Sequence, residues 1–127
     1  STLKGQTVFL AERCAELIQT DIITDRTVID VMAFTMNAKS IPYQDKEAFE
    51  TYASEFIREY DYIFYISPYG LPIEDNGVRE TDEYYRDLID FTITTLIKRY
   101  GHRCKSVEKI SGSTDERIQQ ILNITGL

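Results

Sequence analysis

The sequence predicts an α/β domain built on a parallel sheet with helices over both of its faces. Two stretches carry that prediction. Residues 21–30, DIITDRTVID, run two β-branched apolar residues straight into an Asp-Arg pair and a helical pattern, as a buried parallel strand does where it meets its next helix. Residues 62–67, YIFYIS, set Tyr62, Phe64 and Ile66 against Ile63 and Tyr65, so that both faces are apolar and both need cover. Helical spacing fills most of the chain around them.

The first helix is expected over residues 6–19, where Val8, Ala11, Ala15 and Ile18 recur opposite Glu12, Arg13 and Glu16. Cys14 and Leu17 widen that stripe, and Cys14 reads as a small core residue. A strand is expected at 21–24, then a helix from about Thr27 to Ala38, with Thr27 placed to cap it. Ser40, Pro42 and Asp45 mark a loop. Phe49, Tyr52, Ala53, Phe56, Ile57 and Tyr60 then give the clearest helical stripe in the chain, which reads as core. The strand at 62–67 follows, expected to be central or nearly so because both its faces are apolar. Pro68, Gly70, Pro72 and Asn76-Gly77 next enforce a long loop. A helix reaches Tyr100, with Gly101 expected as its left-handed terminal residue. His102 reads as a surface or cap residue. Residues 103–110 read as an edge strand, and Ser113 with Glu116 fits a capping box that opens a last helix to about Ile124.

Composition bounds the function. A chain of 127 residues is a single domain by length, long enough to bury about two thirds of its unfolded surface. Its net charge of -7, with no cationic run, argues against a nucleic-acid partner. Cys14, Cys104 and the lone His102 have no metal-ligand spacing, and no apolar run of membrane-spanning length occurs. The expected setting is the cytoplasm, with reduced thiols and no membrane.

The chemistry is expected at strand ends, where open α/β sheets hold their ligands. Asp25 can orient a hydroxyl or a metal-bound water, and Arg26 offers a fork of donors to a phosphate. The plainer reading of this pair is an acid favoured by the helix dipole beside a solvated Arg. Arg79 in the long loop and Arg86 in the following helix can form a phosphate clamp, or they can pair with Asp82, Glu83 or Asp90 on a solvated face.

Three stretches, TDRTVIDVMAF, PIEDNGVRETDEYYRDLID and SGSTDERIQQIL, together resemble the part of P-loop nucleoside and nucleotide kinases that follows the P-loop. The likeness is to the AAA-like ATPase family related to the nicotinamide-nucleotide regulator kinase domain and phage-encoded kinases. It implies a three-layer parallel sheet of P-loop kinase type and ATP- and Mg2+-dependent phosphorylation of a nucleoside or nucleotide. It also implies acceptor binding at Asp25 and Arg26, a lid at about 68–86 that brings Arg79 and Arg86 over the transferring phosphate, and a base-contacting loop at Ser111, Gly112 and Ser113. One departure is large: no G-x-x-x-x-G-K-[ST] occurs in these residues. The resemblance places the first strand and the P-loop before residue 1. The same likeness allows a non-catalytic interaction module that kept the fold without the phosphate loop. Two outcomes are expected for the sheet: a further strand between 21–24 and 62–67, supplied by an N-terminal segment or another chain, or direct parallel pairing of those two.

Overall fold

The computed structural model describes residues 1–69 and 83–127. Helix dominates them. Thr2 starts α1 (Leu3–Glu16) by accepting from Gly5 N–H through its hydroxyl at 3.0 Å, which places the first turn earlier than the apolar spacing suggests. The start of α2 (Val28–Met36) is fully satisfied. Thr27 Oγ1 accepts from Ile29 N–H at 3.1 Å, the Thr27 carbonyl accepts from Asp30 N–H, and the Asp30 carboxylate accepts from Thr27 N–H at 2.8 Å. The remaining early donor, Val28 N–H, is buried and reaches the Tyr60 hydroxyl at 3.2 Å.

The aromatic stripe divides between two helix types. It runs through α3 (Tyr43–Ser54) and a 3-10 turn (Glu55–Glu59), so Phe49, Ala53, Ile57 and Tyr60 are buried while Tyr52 stays 62% exposed. Strand β1 (Tyr62–Ile66) follows, then α4 (Glu83–Tyr100), a 3-10 turn (Gly101–Arg103), β2 (Ser106–Ile110) and α5 (Thr114–Thr125). The core centres on α2, whose Val28, Met32, Ala33 and Thr35 are wholly excluded from solvent as it packs on α1, α3 and α4.

The sheet differs from the expected one. Among the described residues it has two strands, β1 and β2, paired in parallel with Tyr62 opposite Ser106 and Ile66 opposite Ile110. A three-layer parallel sheet of P-loop kinase type is therefore not what this chain forms. Residues 21–24 are not a strand, so neither expected arrangement beside β1 is present. The physical reason is local. Asp21 at φ 56° and Arg26 at φ 85° turn the backbone into the left-handed region at both ends of the segment. Its extended residues find no ladder, and Ile23 is 81% exposed. Gly101 is not left-handed either; it is buried, and a Cβ there would make ordinary contacts, 3.4 Å from Ile97 Cγ2 and 3.5 Å from Val107 Cγ2, so nothing in the structure requires a glycine at this position.

Candidate functional site

A cavity of about 1120 Å3 lies between the 19–27 loop, β1 and α4. Asp25, Arg26 and Arg86, three of the residues singled out in the sequence, line it. It is the place where the expected strand would have stood.

The loop is held from both sides. Arg13 on α1 donates to the Asp25 carbonyl at 3.3 Å, and Thr24 Oγ1 donates to the Arg26 carbonyl at 2.9 Å. Arg26 is thereby kept at positive φ, a conformation costing a non-glycine residue about 1 kcal/mol or more. The Asp25 carboxylate is exposed and has no hydrogen bond or ion pair among the described residues. The α2 amides at this corner are already used by Thr27 and Tyr60. Any anion here is therefore met by side chains and not by the helix N-terminus.

Aromatic rings join the two arginines. The Arg26 guanidinium lies 5.9 Å over the Phe34 ring, and Phe34 is 6.4 Å from Tyr85, the neighbour of Arg86 at the start of α4. Arg86 in turn lies 5.6 Å over the Tyr69 ring, and its nearest carboxylate contact is a long one, 3.7 Å to Asp87. Its buried Nε has no hydrogen-bond partner among the described residues. The ion-pair reading of Arg86 with Asp90 is not what the structure shows, because Asp90 accepts from the Tyr65 hydroxyl instead. Burial first, and then that carboxylate, push the Tyr65 phenol up to about 12. Tyr69 donates to Asp87 at 2.9 Å, and the Asp87 carboxylate raises its phenol as well.

These contacts set the direction of charge in the cleft. Tyr65 and Tyr69 fix the carboxyl end of β1 to the amino end of α4, so Arg86 stands at that end. Glu59 and Asp61 line the cavity at the other end of β1.

Arg79 lies outside the described residues, as does most of the expected lid. Ser111, Gly112 and Ser113 do not line the cavity. They form the start of α5: Ser113 Oγ accepts from Glu116 N–H and Glu116 accepts from Ser113 N–H, both at 3.1 Å. Gln120 engages both main-chain groups of Ser111, and Gly112 takes φ 98°. Cys14 and Cys104 are free thiols whose pKa burial raises, which makes both poor nucleophiles. His102 is exposed. Tyr65 and Asp90 are the site residues that sequence reasoning missed: one reads as a strand residue, the other as a surface acid, and no spacing rule joins positions 65 and 90.

The donor set can be tested against Mg-ATP. Two guanidiniums and a free carboxylate suit the acceptor side of a phosphate site. The triphosphate side lacks its glycine-rich loop and lysine, and no group of three or more His, Cys, Asp and Glu able to hold a metal occurs among the described residues. The residues present do not fit the whole nucleotide-metal group. Nor, among the described residues, is any helix long and apolar enough to cross a membrane. No protein-family model matches the chain, and no match to a curated protein or to a solved structure was found.

Proposed function

We propose that the cleft binds the phosphate of a nucleoside or nucleotide, and that this chain serves the acceptor side of a phosphoryl-transfer reaction in the cytoplasm. The observation that carries the reading is the convergence of Arg26 and Arg86, sixty residues apart in sequence, on one cavity through the Phe34 and Tyr85 rings. Two guanidiniums at one end of a cleft neutralise a phosphate dianion, and charge-assisted hydrogen bonds of this kind contribute about 1.5–3 kcal/mol each. Asp25, with its carboxylate unengaged, would accept from a substrate hydroxyl and orient it. No step through ATP or Mg2+ is derived for these residues, because they do not hold that group by themselves.

The experiment is a calorimetric titration with a nucleoside, its 5′-monophosphate and inorganic phosphate. The monophosphate should bind at least about tenfold more tightly than the nucleoside, and raising the salt should reduce that margin. Equal binding of the two, or none of either, would end the phosphate reading. A second reading, a non-catalytic interaction module, is favoured by the open edge of β1, which a ligand-binding role alone does not explain.

A further inference from the structure

Among the described residues β1 is paired along one edge only, with β2. On the β2 side the Asp61 carbonyl accepts from Ser106 N–H at 3.1 Å. Main-chain groups alternate in direction along a strand, so Ile63 and Tyr65 also face β2, while the N–H and C=O of Tyr62, Phe64 and Ile66 face the other edge. Among the described residues those outward groups have no hydrogen-bond partner. Every residue of β1 lines the cavity although their side chains point to two faces, so the cavity runs along this edge.

Its volume is large enough for a strand. One five-residue strand needs a space about 17 Å long, 4.8 Å wide and roughly 10 Å deep, on the order of 800 Å3. The cavity of about 1120 Å3 is large enough for that. Part of the lining is apolar: Ile22 and Ile23 in the 19–27 loop, with Ile89, Ile93 and Ile121, line the space. Charge of opposite sign marks the two ends: Glu59 and Asp61 lie before β1, in a chain of net charge -7, and Arg86 stands at its carboxyl end. A second copy of this chain cannot fill the slot through its own β1, since that strand's open edge is walled by its own 19–27 loop.

We infer that the open edge of β1 is a docking site for an extended apolar segment of a partner polypeptide, with a basic residue where it meets Glu59 and Asp61. The segment adds as a third strand, its main chain pairing with Tyr62, Phe64 and Ile66. This does not depend on phosphate binding.

The test uses the full chain and a fluorescently labelled peptide of two lysines followed by five alternating valines and isoleucines. Anisotropy should show saturable binding. Amide exchange at Tyr62, Phe64 and Ile66 should slow by about tenfold or more on binding, while Ile63 and Tyr65, already facing β2, change little. The same peptide N-methylated at its alternate residues keeps its side chains and loses main-chain donors, and should bind at least about tenfold more weakly. Absence of saturable binding, equal binding of the methylated peptide, or unchanged exchange at the three outward amides would each overturn the inference.

Discussion

Replacing Tyr60 with Phe removes one oxygen and tests how the candidate site is anchored. The Tyr60 hydroxyl accepts from Val28 N–H at 3.2 Å, Val28 is 0% exposed and Tyr60 9%, so water cannot take the lost partner's place. A buried donor left open costs about 1–3 kcal/mol. For a domain of 127 residues this corresponds to a melting point lower by roughly 3–12 °C. The ring itself stays, so core packing is unchanged and the cost belongs to the hydrogen bond. The same residue has a pH signature. Burial, the largest cause, raises its phenol to about 12, against about 10 in the unfolded chain. A folded-state value above the unfolded one means that its contribution is fully present below pH 10 and is lost as pH rises towards 12. Urea denaturation at pH 7 and across pH 9–11.5, for the native protein and Tyr60→Phe, measures both effects. The variant should be less stable at pH 7 and should lose less stability on going alkaline; Tyr65, Tyr69, Tyr100 and the two thiols, all raised, supply the slope that remains. A variant within about 0.5 kcal/mol of the native protein at pH 7, with an unchanged alkaline slope, would refute the anchoring argument.

Arg26→Gly should relieve the positive φ and raise stability by about 1 kcal/mol in urea denaturation while weakening nucleoside-monophosphate binding; a loss of stability would show that the Phe34 contact outweighs the backbone strain. Ser113→Ala should cost about 1 kcal/mol of stability through the lost helix cap and leave monophosphate affinity unchanged, whereas a drop in affinity at unchanged stability would restore the base-contacting role for that loop. Leu96→Ala, at a position 2% exposed on α4, should cost about 2–5 kcal/mol by thermal or urea denaturation, and a cost below about 1 kcal/mol would mean the core does not centre where it is drawn.

Much of the local structure was legible in the sequence, and the reason is short range. Thr27 with Asp30, and Ser113 with Glu116, announce helix starts because each cap is made within a few residues. The apolar run at 62–67 gave β1 almost to the residue, and the pattern at 103–110 contains β2. The pairing of those two strands with each other was not assigned from the sequence, and among the described residues the sheet stops at the two. The failure at 21–24 has the opposite cause. Ile22 and Ile23 have strand propensity, but a strand requires a second backbone, and propensity does not supply one. Asp25, Arg26 and Arg86, all three of which line the cavity, were singled out from residue type and position along the chain. The Tyr65–Asp90 bond and the Phe34–Tyr85 link were not, since they depend on how α2 and α4 pack.

The central claim is that Arg26 and Arg86 act on one phosphate. A double-mutant cycle tests it most directly: calorimetric affinities for a nucleoside 5′-monophosphate with the native protein, Arg26→Ala, Arg86→Ala and the pair together. Each single change should weaken binding by about tenfold or more, and the two losses should be coupled by at least about 0.5 kcal/mol, as expected of groups that share a ligand atom cluster. Losses that simply add, or an Arg86→Ala protein that binds as the native one does, would contradict it.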